Sequence, residues 1–318
     1  MSGGRPAAAT LRFPTRRQPK TNEETYRLNL EIPPGLDWIR GTERGRVWLE
    51  ALLALVAECA EVWSLRLSRP YDNSYVSLVL PATRADGTGA VLKVQFPDRE
   101  SAHEAAALAC WDGEGAVRLL EHDADRSALL IERCEPGTHL RELDPDNALG
   151  VMIGLLPRRW KPVPASIGLL ADEAAHWLEE LPPTYERAGE PFKRTLLDAA
   201  LDALKSLSVS QGEQVLIHQD LHGDNVLRTE REPWLAIDPK PLAGEREFGL
   251  APIIRSYEFG HGREQVIGRL DRLCRELNLD RERAQGWALG QTLAWAFAGD
   301  EALPRHVKTA RWLHEAAR

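Results

Sequence analysis

Leu216-Ile217-His218-Gln219-Asp220-Leu221-His222-Gly223-Asp224-Asn225-Val226-Leu227, followed by Trp234-Leu235-Ala236-Ile237-Asp238-Pro239-Lys240, is the stretch from which the rest of the chain can be read. His218 stands two residues before Asp220, Asn225 five after it and Asp238 eighteen after it. Each polar head follows a short apolar run, which places it at a strand or turn end facing a cleft. Phosphoryl transfer needs such a set. One carboxylate must hold an acceptor hydroxyl in line and take its proton, which suits Asp220. Oxygen ligands must hold Mg²⁺, which suits Asn225 and Asp238.

Upstream, the hydrophobic period changes. Residues 42–61 carry a helical apolar stripe, with Val47, Leu49, Leu52, Leu53, Leu55 and Val56. From Trp63 the alternation approaches two, through Leu65 and Leu67, then 75–80, then Val91-Leu92-Lys93-Val94-Gln95-Phe96 after the turn at 84–89. This predicts a three-strand antiparallel meander. A helix over 98–111 follows, capped by Asp98 or Ser101, then strands over 117–120 and 128–132. Beyond the turn Glu135-Pro136-Gly137-Thr138, helices are expected near 146–157, 168–181, 191–208, 247–257, 262–277, 281–297 and 304–317. The fold class is α+β: a small sheet-bearing lobe followed by a larger helical lobe. Residues 1–28 are expected to be a disordered tail, residues 29–134 the nucleotide-binding N-lobe, and residues 135–318 the C-lobe with the catalytic loop and acceptor site.

The sequence resembles the aminoglycoside phosphotransferase and choline kinase superfamily, whose catalytic loop reads HxDxxxxN. It is most similar to the streptomycin 6-kinase and hydroxyurea phosphotransferase branch. The resembling stretches are 218–227, 234–240, Gly115-Ala116-Val117-Arg118-Leu119-Leu120, 130–137 and Leu170-Ala171-Asp172-Glu173-Ala174-Ala175, spread over most of the chain beyond residue 60. The resemblance implies a two-lobed protein-kinase-like fold, ATP and Mg²⁺ as cofactors, Asp220 as the catalytic Asp, and Asn225 and Asp238 as metal ligands. It implies that Lys93 contacts the nucleotide phosphates, that Glu104 pairs with Lys93, and that backbone near Glu132 and Cys134 meets adenine. His218 is expected to brace backbone, and His222 and Asp224 to be local scaffolding. Two departures stand out. The turn at 69–74 lacks glycines for close approach to phosphates, leaving Asn73 and Ser74 as donors. The spacing of eleven from Lys93 to Glu104 demands a tight strand-to-helix turn, and Glu100 lies one helical turn from Glu104.

Composition narrows the partners. The 318 residues carry a net charge of -8, against a nucleic-acid partner, which needs a basic face. No apolar run approaches the roughly 18–20 residues that span a bilayer. The four cysteines are scattered, so reduced thiols are expected, and a cytoplasmic location with them. A monomer or homodimer is expected. The expected reaction is ATP-dependent phosphorylation of a small-molecule hydroxyl, with an aminocyclitol antibiotic such as streptomycin as acceptor. Glu245, Glu247 and Trp287 are the candidate acceptor contacts. The alternatives are a kinase of another metabolite or antibiotic, a catalytically silent nucleotide-binding protein, and a zinc hydrolase using the alternating His218, Asp220, His222 and Asp224.

Overall fold

The computed structural model describes residues 31–72, 74–99 and 101–316. The expected tail over 1–28, the donor Asn73 and the competing Glu100 lie outside them. A 3₁₀ helix, Pro34–Gly41, leads into helix α1, Glu43–Val62. The Thr42 hydroxyl caps α1 by accepting from the Gly45 N–H at 3.0 Å. Strands β1 (Arg66–Leu67), β2 (Ser77–Thr83) and β3 (Gly89–Gln95) come next, then α2 (Glu104–Trp111), β4 (Leu119–Asp123) and β5 (Ala128–Glu132). They form one antiparallel sheet in the order β1-β2-β3-β5-β4. The meander and its helix therefore follow the sequence reading.

The period of the strands decides what the sheet presents. Leu92 and Val94 pack with Leu36, Leu52 and Val56 on the α1 face. Their neighbours Val91, Lys93 and Gln95 point the other way, and Val91 packs with Ala107, Leu108 and Trp111 of α2. Lys93 pairs across the ladder with Leu129, so it rises from the middle of a buried strand. α2 starts later than expected. Asp98 and Ser101 close a turn of their own, with the Ser101 N–H donating to the Asp98 carboxylate at 2.7 Å. That turn brings the chain back over the sheet and makes the eleven-residue spacing workable.

The large lobe begins with β6 (Pro136–His139), where the sequence suggested only a turn. It continues through α3 (Pro145–Arg159), α4 (Leu170–Arg187), α5 (Arg194–Ser208), β7 (Gln214–Ile217), β8 (Val226–Thr229), β9 (Trp234–Ala236) and β10 (Leu242–Glu245). α6 (Ala251–Arg255), α7 (Arg263–Leu277), α8 (Arg281–Ala294) and α9 (Pro304–Ala316) complete it. β6, β8 and β9 form one small sheet, and β7 pairs with β10 in another. α4 runs past Pro182-Pro183, which reads as a stop, because buried Tyr185 anchors the extra turn by donating to the Phe192 carbonyl at 2.7 Å. The four cysteines are unpaired, as expected. No helix among the described residues is long and apolar enough to cross a membrane.

α8 is the axis of this lobe, packed against α5, α6 and α9. Its approach to α5 depends on Gly286 and Gly290. A Cβ at Gly290 would stand 2.5 Å from Leu204 Cδ2 and 2.7 Å from its Cγ, inside the core. Overpacking of this kind costs about 1–3 kcal/mol, more than the ~1 kcal/mol a helix gains from glycine to alanine. Gly290→Ala is therefore expected to lower Tm, at about 2–4 °C per kcal/mol for a chain of this class. Thermal denaturation followed by circular dichroism checks it, and an unchanged or raised Tm would contradict the packing argument.

Candidate active site

β7 ends at Ile217 and releases the chain into a loop that closes in a 3₁₀ turn, Gly223–Asn225, before β8. Asp238 stands two residues past the end of β9, which pairs with β8. Two short hairpin-linked strands thus bring residues eighteen apart in sequence to one spot. The Ile237 N–H donates to the Asn225 carbonyl at 2.9 Å, and the Lys240 N–H to the His218 carbonyl at 3.0 Å. The Asn225 amide donates to the Asp220 carbonyl at 2.9 Å, which turns its side-chain oxygen the other way. Gln219 and Asp238 hold φ of 61° and 54°, left-handed values that non-glycine residues adopt at a cost, often at functional sites.

His218 is structural. Its Nε2 meets the Ile237 carbonyl at 2.8 Å, and its Nδ1 accepts from the Asp220 N–H at 3.3 Å. Its ring stacks on Trp111 of α2. Burial, with the nearby Arg159 charge, drives its pKa well down, so the ring stays neutral. His222 differs. Its Nδ1 meets Glu258 at 3.0 Å while its Nε2 lies 3.8 Å from Asp220. Burial opposes its protonation, but the Glu258 hydrogen bond and the two carboxylate charges outweigh burial and raise its pKa. Burial likewise favours a neutral Glu258, yet His222 pulls it down to about 2.

This geometry removes the strand on which a zinc site would have stood. Residues 218–222 lie outside the strands, and the four alternating side chains do not share a face. Among the described residues, His222, Asp224 and Glu258 do bring ligand atoms within 4.8 Å of one another. They are already engaged, His222 with Glu258 and Asp224 with Arg141 at 2.8 Å.

From the small lobe, Lys93 reaches across the crevice. Its ammonium donates to Glu104 at 2.6 Å and also to Asp238. Glu104 accepts a further bond from Gln95, two residues on along the same strand face. Glu104 is 1% exposed, whereas the Asp238 side chain keeps 43% of its surface. Burial disfavours the Lys93 charge, but the two carboxylates outweigh it and raise its pKa. One ammonium faces two carboxylates, Glu104 fully buried and Asp238 partly open. Burial and the Asp238 charge together push Glu104 up to about 7 despite Lys93.

The donors suit a hard divalent cation. Asp238 gives one oxygen to Lys93 and remains open to the crevice, and the Asn225 amide nitrogen is held by the Asp220 carbonyl, which leaves its side-chain oxygen available to a cation. Such an all-oxygen set matches Mg²⁺ rather than a thiophilic metal.

Other sequence expectations are corrected. Glu245 is 2% exposed and accepts from Arg283 at 2.8 Å, from the Gly212 N–H at 3.0 Å and from the Trp287 indole. It pairs with Gln214, at the end of β7 away from the Asp220 loop. Trp287 is 0% exposed and packs edge-on against Phe248. Neither faces an acceptor, because together they fill the core between α8 and β10. Glu247 accepts from the Asp280 N–H at 3.3 Å, just ahead of α8. The Glu132 N–H is taken by the Arg118 carbonyl, and its carboxylate by Arg231 at 2.7 and 2.8 Å. Glu132 thus has no free N–H for adenine, and the other backbone groups near Glu132 and Cys134 keep that expectation. Burial pushes the Cys134 thiol up to about 12.

Sequence reasoning missed Arg231, Glu258, Lys240 and Arg255; Trp295, eight residues after Trp287 on one expected helix face, reads from the sequence as core packing or a substrate wall, not as a partner of these cations. Lys240 and Arg255 lie 3.5 and 3.6 Å from Asp220, and both rest against Trp295. Lys240, inside the quoted run, was the one with a readable position. The glycine-poor turn at 69–74 is braced from behind: Trp38 donates to the Tyr75 carbonyl at 2.7 Å, and Gly35 lies so close to the Ser74 carbonyl that a Cβ would stand 2.3 Å from it.

The raised Glu104 value has a sign. Folding makes Glu104 hold a proton that the unfolded chain gives up above its ordinary 4.5, so its contribution to stability falls as pH rises towards about 7. Glu104→Gln is expected to remove that slope in urea denaturation followed across the same window. A slope identical in both proteins would place the proton elsewhere.

The comparisons with known proteins place the chain in a family. The family model described as aminoglycoside/hydroxyurea antibiotic resistance kinase matches residues 63–301. The chain is 41% identical over 276 residues to a streptomycin 6-kinase of Streptomyces griseus, covering 83% of this chain and 89% of that one. It is 43% identical over 298 residues to a hydroxyurea phosphotransferase of Kitasatospora aureofaciens, covering 89% and 86%. Among solved structures, the choline kinase LicA from Streptococcus pneumoniae superposes with a TM-score of 0.59 at 12% identity, over 84% of this chain and 99% of that one. That likeness shows the two-lobed kinase-like fold. With the family model and two relatives spanning most of its length, the chain belongs to the aminoglycoside/hydroxyurea antibiotic resistance kinases.

Proposed function

We propose that the chain transfers the γ-phosphoryl group of ATP to a hydroxyl of a small antibiotic. The reading is carried by one observation: Lys93, held by Glu104, reaches Asp238 beside the loop that presents Asp220 and Asn225. Mg-ATP supplies the phosphoryl group, with the metal neutralising its charge. Asn225 and Asp238 hold the metal through oxygen. Lys93 turns from Asp238 to the phosphates, and Glu104 keeps its ammonium in place. Backbone at Cys134 meets the adenine. An Asp220 carboxylate oxygen holds the acceptor hydroxyl in line and takes its proton.

The acceptor is an aminocyclitol of the streptomycin kind, phosphorylated on a ring hydroxyl. Hydroxyurea is the second reading, favoured by the comparable identity to a hydroxyurea phosphotransferase. Both carry a hydroxyl that one positioned carboxylate can deprotonate. Such a reaction confers resistance on a cell that holds the enzyme and the drug in one compartment.

The test is a panel of streptomycin, other aminocyclitols and hydroxyurea with Mg-ATP, products read by mass. A phosphorylated streptomycin is expected. Asp220→Ala is expected to lose about 10²–10⁴-fold in kcat, the scale of a positioned acid–base group. Near-normal turnover in that variant would remove Asp220 from the role, and no product from any acceptor would remove the function.

A further inference from the structure

Asp220 lies between two cations, of which Arg255 also feels Glu258 and Lys240 also acts on Asp238. Lys240 Nζ stands 3.5 Å from one carboxylate oxygen, and Arg255 Nη2 stands 3.6 Å from the other. Charge-assisted hydrogen bonds close to about 2.7–2.9 Å, so neither cation has closed on the carboxylate. Both instead lie on one ring: Lys240 Nζ is 4.8 Å from the Trp295 centroid and Arg255 Cζ is 4.3 Å from it. An indole face attracts cations at this range. Arg255 has 9% of its side-chain surface exposed, and its Nη1 is buried with no partner.

α8 explains how the ring comes to be there. Gln291, 0% exposed on that helix, donates to the Gln219 carbonyl at 3.1 Å, the residue before Asp220. Trp295 lies four residues on, over the same face. One helix thus holds the backbone of the catalytic loop and, one turn later, the two cations beside its carboxylate.

We propose that Trp295 is a positioning residue for phosphoryl transfer, holding Arg255 and Lys240 on its ring and short of Asp220. The proposal rests on the phosphotransferase reading above. In the transfer, the acceptor oxygen bonds to the γ-phosphorus. The bond from that phosphorus to the β–γ bridging oxygen breaks, its electron pair leaving with ADP. The hydroxyl proton passes to Asp220. A carboxylate clamped by two hydrogen-bonded cations would be a poor base, whereas one held at 3.5–3.6 Å keeps oxygen lone pairs for the hydroxyl. Once Asp220 is protonated, each cation loses one of the carboxylates it faces, Arg255 keeping Glu258 and Lys240 keeping Asp238, so part of their field turns to the charge that spreads over the phosphoryl oxygens.

The test compares Mg-ADP-fluoroaluminate, which mimics the phosphoryl group in flight, with Mg-AMP-PNP, which mimics the resting nucleotide, by calorimetry. W295L is expected to weaken the fluoroaluminate complex and to lower kcat with streptomycin, each by on the order of tenfold. AMP-PNP affinity and the KM for ATP are expected to hold within about twofold on the same argument. W295F, which keeps a π face, is expected to recover most of both losses. R255Q, which keeps the ring and removes one cation, is expected to lose fluoroaluminate binding selectively, and it provides the test if W295L does not fold. Equal weakening of the two complexes in W295L and R255Q, or no weakening, overturns the proposal. A wild-type protein that prefers neither complex and phosphorylates neither streptomycin nor hydroxyurea overturns the underlying reading and the proposal with it. Normal wild-type turnover with unaffected variants overturns the proposal alone.

Discussion

The buried ammonium of Lys93 ties the two lobes of this protein together. It rises from the centre of an antiparallel sheet, takes Glu104 from the helix that covers the sheet, and meets Asp238 from the opposite lobe. A buried charge is tolerable only when paired and hydrogen-bonded, and here pairing requires three separately folded segments to be in register. The strand must keep its alternation, the 98–103 turn must bring α2 back over it, and the β8–β9 hairpin must deliver Asp238. Two acids around one base leave the cluster short of positive charge, and a divalent cation in the crevice would remedy that. The resting electrostatics and the expected metal therefore point the same way.

On the other wall of the crevice the charges are mixed. Asp220 has two cations and a histidine about it, and Glu258 and Asp224 lie behind that histidine. The crevice thus runs from the Lys93 cluster, under the small lobe, to a side against α6 and α8 where carboxylates and cations crowd together round Asp220. Rigid elements carry both sides: β3 and α2 hold one, and α8, through Gln291, holds the other.

Much of this was legible in the residues before any coordinates. The alternation around Lys93 marked its strand, and the 218–240 spacing marked the loop with its two polar followers. What escaped were features without a local signature. β8 is only four residues long, and one of its outward positions is Arg228, so no hydrophobic run announces it. Pro182-Pro183 signals a stop that Tyr185, anchored on Phe192, overrides. Glu245 looks like a free carboxylate just past Asp238 until its partners arrive from Gly212 and Arg283, each more than thirty residues away. Arg255 and Trp295 are forty residues apart and meet only because α6 packs on α8. Tertiary contact made those assignments, and single-sequence periodicity carries no record of it.

Arg231 holds one more constraint. Its guanidinium grips both oxygens of Glu132 at the end of β5, and it also bonds the carbonyls of Gly113 and Ala116 behind α2. Since Arg231 belongs to the β8–β9 connection, the rear edge of the sheet is riveted to the same hairpin that ends in Asp238. The sheet edge and the Asp238 hairpin therefore share one fastening, so losing the Arg231 guanidinium would loosen both.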